Sequence, residues 1–372
     1  MKLKIAVLSG DGIGPEVTKE AVKVLKVVQE LYKHSFEFQE ALVGAIAIDK
    51  TGSPLPDATI ELCKNADAVL FGSIGDPKYD NNPDAKVRPE QGLLELRKEL
   101  GLFANIRPIK AFATLIDKSP LKRDNIEGTD MLIYRELTGG IYYGEKKLSD
   151  NGTVASDLCV YSQMEIERIA HLAFKAAKTR RNKVTLVDKA NVLESSRLWR
   201  RVVTNIAKEY PEVTLDFLFV DNAVMQIILN PSQFDVILTE NMFGDILSDE
   251  GSVIGGSIGL LASASVGNKH SLFEPIHGSY PQAKGKNIAN PIAAILSAAM
   301  LLDHFGLSEE ANAVRKAVEL SLEYNIVTSD LNLVRNFGTD HVGDTIANSI
   351  LNTDANSYIN QENISIGKSI FF

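Results

Sequence analysis

Three short apolar runs in the middle of the chain, each followed at once by a helical pattern, constrain the fold more than any other feature. Residues 184–188 (VTLVD), 213–220 (VTLDFLFV) and 234–239 (FDVILT) are β-branched, apolar and of strand length. After each, the apolar period lengthens to that of a helix. Strands alternating with helices build a largely parallel sheet with helices on its faces, which is the α/β class. In open α/β sheets, ligands bind beyond the carboxyl ends of the strands. Lys189, Asp221, Asp245 and Asp249 all follow these strands. The pattern that sets the fold class therefore also points to a common site.

The same reading extends along the chain. Residues 4–8 form a strand, GDGIGPE at 10–16 a glycine turn, and a helical pattern runs over 17–32. Pro15 suits a first helical position and Glu16 the positive end of a helix. The spacing is not the dinucleotide fingerprint, because Pro15 stands where its third glycine is due, so a Rossmann fold is not indicated. The turn is either a plain strand-to-helix connection or a close backbone approach to a ligand. Residues 68–71 form another buried strand, and a polar, proline-bearing loop follows through 81–83. Leu93, Leu94, Leu96 and Leu100 give an apolar helical stripe beside Arg97, ended by Gly101. Residues 103–108 read as a strand closed by Pro108, carrying Arg107. Arg135 leaves the strand 131–134 for a glycine pair and Tyr142, the composition of a binding loop or of a hairpin with aromatic cover.

Asp245 and Asp249 are four apart, so a helix stacks them on one face. Like charges so placed cost about 0.2–0.5 kcal/mol on an exposed surface, and a solvated pair is one reading. The other is a hard divalent cation, Mg²⁺ or Mn²⁺, which takes one or two carboxylates and keeps positions for substrate oxygens.

The length of 372 residues exceeds what one hydrophobic core usually holds and implies two domains or one large two-lobed unit. A net charge of -9 argues against nucleic acid or an anionic membrane as partner. An anionic substrate then requires a local cluster of arginines. Cys63 and Cys159 stand in no metal or redox spacing, which fits a reducing cytoplasm. The longest apolar stretch, 288–302, is too short to cross a bilayer.

The order of motifs GDGIGPE, LLELRKELGLFANIRP, YRELTGGIYYG, VDKANVLE, VDNAVMQ, NMFGDILSDEGS, FEPIHGS and NIANP resembles the isocitrate/isopropylmalate family of β-decarboxylating dehydrogenases, from about residue 4 to 350. The resemblance implies a two-lobed α/β fold with a large mixed sheet. Residues 1–102 and 256–372 would form a cofactor-binding lobe, 103–255 a metal-binding and dimerisation lobe, with the active site in the cleft between them.

Position by position, the resemblance implies that Arg97, Arg107 and Arg135 hold the carboxylates of a small 2-hydroxy dicarboxylic acid. Asp221, Asp245 and Asp249 would bind Mg²⁺ or Mn²⁺, with Asp221 also touching the substrate. Lys189 would be the base and Tyr142 the acid. Asp221 and Lys189 would come from the partner in a homodimer with shared active sites. Ile13, Glu274, His277, Gly278, Ser279, Gln282 and Asn290 would hold NAD. Gln282 replaces an aspartate usual in the family; a neutral amide still bonds a ribose hydroxyl, and NAD remains the expected cofactor.

On the helix with Glu90, Leu93 and Leu94, sibling enzymes for isocitrate carry serine and asparagine. Two leucines suit an isopropyl group, and the implied reaction is NAD-dependent oxidative decarboxylation of 3-isopropylmalate on the path to leucine; core packing is their other reading. Sibling activities on isocitrate, homoisocitrate or tartrate, a non-catalytic subunit of the same fold, and a metal-dependent hydrolase are the alternatives. The non-catalytic subunit would be expected to lack one of Lys189, Tyr142 or the three aspartates, all of which are present.

Overall fold

The computed structural model describes residues 1–80 and 87–351. The loop expected through 81–83 and the stretch from residue 352 lie outside the described residues. In chain order the strands are β1 Lys2–Gly10, β2 Ser35–Glu40, β3 Ala68–Ser73, β4 Ala104–Lys110, β5 Asp130–Glu136, β6 Lys146–Leu148, β7 Ala155–Asp157, β8 Lys183–Asp188, β9 Thr214–Phe219, β10 Val236–Thr239, β11 Ala262–Val266 and β12 Ser271–Pro275. The backbone divides into two compact units. One takes Met1–Leu100, Ser257–Ala264 and the described residues from His270 on; the other takes Gly101–Gly256 and Ser265–Lys269.

In the first unit the strands lie in the order β2-β1-β3-β12-β11. β1 pairs in parallel with β2 and β3, and β3 with β12. Every residue of β3 is buried, as a parallel strand covered on both faces must be. The helix Gly14–Leu31 packs against Ile292–His304 and Thr339–Leu351. Ile292–His304 is apolar nearly all round, and its one internal hydroxyl, Ser297 Oγ, donates to Ala293 O at 2.8 Å. Such a helix belongs in a core rather than at a surface.

The glycine turn after β1 serves backbone packing. Gly10 and Gly12 have φ of 69° and 58°, and added Cβ atoms would lie 2.0 Å from Ser73 O and 1.9 Å from Ser279 O. Between them Asp11 accepts from the N–H groups of Ala45 at 2.8 Å, Ile46 at 3.0 Å and Gly75 at 3.0 Å. No fingerprint glycine is needed for this, which is why the spacing differs from the dinucleotide motif.

In the second unit the order is β4-β5-β10-β8-β9. β10 is parallel to β5 and β8, and β8 to β9, whereas β4 is antiparallel to β5. The pairing is therefore mixed. Ile109, Met131, Ile133, Phe234, Ile237 and Leu247 lie in one buried core cluster. The helix Gln163–Lys178 packs on β5, β8 and β10, and its N-terminus carries a capping box in which Ser162 and Glu165 exchange hydrogen bonds.

Three boundaries differ from the sequence reading. β4 does not close at Pro108 but runs on to Lys110, with Pro108 opposite Leu132. A proline removes one donor, and the flanking residues Arg107 and Ile109 keep the register with Ile133 and Met131. β9 ends at Phe219, so Asp221 sits in the first turn of the helix Val220–Leu229, where an acidic side chain complements the helix dipole. Residues 146–148 and 155–157 pair as the exposed β6–β7 ladder, which the sequence reading did not mark. Among the described residues no helix is long and apolar enough to cross a membrane.

Candidate active site

The helix Asn241–Ser252 follows β10 directly and starts on Glu240, whose carboxylate accepts from Phe243 N at 2.8 Å. It carries Asp245 and Asp249 on one face, as the four-residue spacing requires. Two arginines from neighbouring strands meet them. Arg107, on β4, donates from one terminal nitrogen to Ser248 Oγ at 2.7 Å and Asp249 Oδ1 at 2.8 Å, while its Nε donates to Asn105 Oδ1 at 2.8 Å. Arg135, near the end of β5, donates to Asp245 through its other terminal nitrogen. Its Nε and second terminal nitrogen both donate to Asn241 Oδ1, at 3.1 and 2.9 Å. Each guanidinium is thus held along one edge by an asparagine. The positive charges also offset the repulsion between the two aspartates, which answers the cost raised for the pair.

Tyr142 reaches the same carboxylate. Its hydroxyl donates to Asp245 Oδ2 at 3.1 Å, and the Arg135 guanidinium lies 5.8 Å from its ring centroid. Burial, then the Asp245 charge, raises the phenol above its ordinary range, so the protonated form is kept. The short turn Gly140–Tyr142 that delivers it needs its glycines, since a Cβ on Gly140 would lie 2.3 Å from the Tyr161 hydroxyl oxygen. Asn241 closes the arrangement by donating from Nδ2 to Gly139 O at 3.2 Å.

Lys189 and Asp221 form a second cluster in this unit, their side chains 2.5 Å apart. The hydrogen bond from Lys189 holds the Asp221 carboxyl below its ordinary range. Among the described residues no three metal-ligating side chains converge within one chain, so Asp221 does not join Asp245 and Asp249 there. The two carboxylates on the helix are half-exposed or exposed hard oxygen donors one turn apart, which fits a divalent cation that keeps other positions open.

The remaining expected residues lie in the first unit. Arg97 donates to Glu274 Oε1 at 2.7 Å, and Glu274 is buried at the end of β12. His277 Nδ1 lies 3.0 Å from Gly278 O, a group that only accepts, so Nδ1 carries the proton. Nε2 is then a buried acceptor without a partner among the described residues. Burial also depresses the ring's pKa. An orphaned acceptor in this loop fits a ligand hydroxyl or amide. Ser279 O accepts from Ile13 N at 2.8 Å, which ties the two candidate cofactor segments together. Asn290 donates to Asp330 Oδ2 at 3.0 Å, and Gln282 is exposed. On the helix Pro89–Glu99, Leu96 and Leu100 enter the core, Leu93 is half-buried and Leu94 is 51 % exposed. Leu94 is therefore not core packing. Glu90 is exposed.

A model of the isocitrate/isopropylmalate dehydrogenase family matches residues 4–346. The chain belongs to this family. A 3-isopropylmalate dehydrogenase of Bacteroides fragilis is 56 % identical to it over 352 residues, covering 94 % of this chain and 99 % of that one. One of Priestia megaterium is 54 % identical over 365 residues, with 96 % and 99 % covered. Among solved structures, an isocitrate dehydrogenase from Methylococcus capsulatus superposes with a TM-score of 0.82 at 34 % identity, covering 94 % of this chain and 99 % of that one. A β-decarboxylating dehydrogenase from Thermococcus kodakarensis gives 0.80 at 37 %, with 94 % and 96 % covered.

Sequence reasoning missed Asn105, Ser248 and Asn241. In this family member their work is to aim Arg107 and Arg135, and all three lie inside recognised motifs, Asn105 in the one that carries Arg107 and Asn241 and Ser248 in the one that carries Asp245 and Asp249. Asp330, which receives Asn290, lies in none.

Proposed function

We propose that this protein oxidises and decarboxylates 3-isopropylmalate to 4-methyl-2-oxopentanoate and CO₂ with NAD, a step of leucine biosynthesis in the cytoplasm. The observation that carries this reading is the single cluster in which Arg107, Arg135 and Tyr142 meet Asp245 and Asp249 on one helix. Two guanidinium groups, two carboxylates and a phenol hydroxyl within hydrogen-bond reach of one another support binding of an acidic substrate, a hard cation and a proton transfer there. The identity to relatives named for this reaction supports the substrate, as does the exposure of Leu94 for an isopropyl group.

Arg107 and Arg135, joined by Arg97, bind the substrate carboxylates, a task for which a planar fork is better than a point charge. Asp245 and Asp249, with Asp221 from a second copy, hold Mg²⁺ or Mn²⁺, and the segments at Ile13, Glu274, His277 to Ser279, Gln282 and Asn290 hold NAD. When bound, the metal would supply polarisation of the C2 oxygen and NAD would supply the acceptor for the hydride of C2. Lys189, also from the second copy, takes the proton of the C2 hydroxyl as that hydride leaves. The carboxylate β to the new carbonyl then departs as CO₂, and its bonding pair passes to the carbon skeleton. Tyr142 returns a proton to that carbon, and its raised pKa keeps the proton available until then.

A second copy is also supported by apolar side chains left exposed in the second unit, among them Met225, Ile228 and Leu229 on one helix and Ile246 on another. Incubation with the acid, NAD and Mg²⁺ tests the reading through its balance. NADH, CO₂ and 4-methyl-2-oxopentanoate should form in equal amounts. NADH without CO₂ would contradict the decarboxylation.

A further inference from the structure

Arg200 joins the strand that carries Lys189 to the strand that leads into Asp221. Its Nε donates to Asp188 Oδ2 at 2.9 Å and a terminal nitrogen to Asp188 Oδ1 at 2.8 Å, a fork on a carboxylate only 2 % exposed. The same guanidinium lies over the rings of Phe217 and Phe219, 4.8 and 5.4 Å from their centroids. Asp188 ends β8 and immediately precedes Lys189. Its Oδ1 also accepts the Ala190 N–H at 2.9 Å, so the chain is fixed just beyond the lysine. Phe217 and Phe219 are alternate residues of β9 and share a face, and Asp221 follows two residues later.

We propose that Arg200 is a positioning residue that registers the carboxyl end of β8 against that of β9, so that Lys189 and Asp221 are presented together. The proposal rests on the roles given to Lys189 and Asp221 in the function proposed above. Arg200 bonds neither of them. It fixes the carboxylate one residue before the first and the aromatic face two residues before the second. A lysine cannot substitute, because it has neither the fork for Asp188 nor the plane for the two rings. The pair lies just beyond the last rung of the β8–β9 ladder, Asp188 opposite Phe219, where Arg200 holds both sides, and a displacement of about 1 Å in a catalytic group costs on the order of 10²-fold in rate.

The test compares the wild-type protein with Arg200→Lys and Phe217→Leu, the second leaving the ion pair intact. Folding and assembly are read by circular dichroism and size-exclusion chromatography, turnover by steady-state kinetics, and metal binding directly by the electron paramagnetic resonance of free Mn²⁺. Arg200→Lys is expected to fold, to lose about 10²-fold in kcat with KM for NAD unchanged, and to bind Mn²⁺ about tenfold more weakly. Phe217→Leu should shift both values the same way by less. A folded Arg200→Lys protein with wild-type kcat and Mn²⁺ affinity, whatever its melting temperature, overturns the proposal. If Arg200→Lys does not fold, Phe217→Leu decides by the same two values. If the wild-type protein does not turn over 3-isopropylmalate, the assigned reaction fails, yet weakened Mn²⁺ binding in the variants still supports the positioning role and unchanged binding overturns it.

Discussion

Gly244 leaves the space that Arg135 fills: a Cβ added at Gly244 would lie 2.6 Å from Arg135 Cγ and 2.7 Å from its Cβ. Both atoms are close to the backbone of β5 and cannot swing away. In most helices Gly→Ala gains about 1 kcal/mol from propensity. Here the overlap costs about 1–3 kcal/mol and moves the guanidinium off Asn241 and Asp245. Gly244→Ala should therefore lower the melting temperature and raise KM for the hydroxy acid at least tenfold. A rise in melting temperature with unchanged KM would contradict the account.

Arg107 spans Asn105, Ser248 and Asp249, and a lysine cannot hold that geometry. Charge-assisted hydrogen bonds are worth about 1.5–3 kcal/mol each. Steady-state kinetics of Arg107→Lys should show kcat/KM for the acid down by about 10²-fold, while KM for NAD stays within a factor of two or three.

Tyr142→Phe removes the hydroxyl that donates to Asp245 without disturbing the ring against Arg135. Loss of a general acid lowers kcat by about 10²–10⁴-fold. Because the ring remains, KM for the acid should change little. A large KM effect with near-normal kcat would make Tyr142 a binding residue instead.

Glu250 gives a pH prediction. One of its carboxylate oxygens is buried without a partner among the described residues, and burial pushes its carboxyl up to about 7. The folded pKa lies above the ordinary carboxylate value of about 4.5, so the folded state binds the extra proton. Its contribution to stability is fully present below about pH 4.5 and is lost as the pH rises through about 7. Glu250→Gln should accordingly be more stable than wild type at pH 8, by on the order of 1–3 kcal/mol, and the two should converge at low pH. Thermal melts at both pH values measure this; a less stable Glu250→Gln protein at pH 8 would show that the carboxylate is paired.

Parts of this arrangement are legible in the sequence because they follow from periodicity. The apolar runs at 184–188 and 234–239 mark strands, and the spacing of Asp245 and Asp249 sets them on one helical face whatever surrounds it. The direction of Arg107 and Arg135 was not legible. It depends on Asn241 and Ser248, which meet Arg135 and Arg107 only once β4, β5 and the helix Asn241–Ser252 are packed, while Asn105 stands two residues from Arg107 on the same face of β4. Pro108 misled the reading of β4 because a local rule about one missing donor was outweighed by pairing along the rest of the strand. Asp221 was placed at a strand end because the apolar run continues through Val220, although the helix has already begun there. Leu94 shows the limit of an apolar stripe: the same periodicity covers Leu96, fully buried, and Leu94, half out in solvent.

Initial rates of NADH formation at 340 nm with Mg²⁺ test the substrate. D,L-threo-3-isopropylmalate, isocitrate and tartrate should be run side by side, each with NAD and with NADP. Turnover of 3-isopropylmalate with NAD at least 10²-fold above the other acids is the predicted result. A preference for isocitrate or tartrate would contradict the role given to Leu94, and no turnover of any acid by the metal-replete protein would contradict the catalytic reading itself.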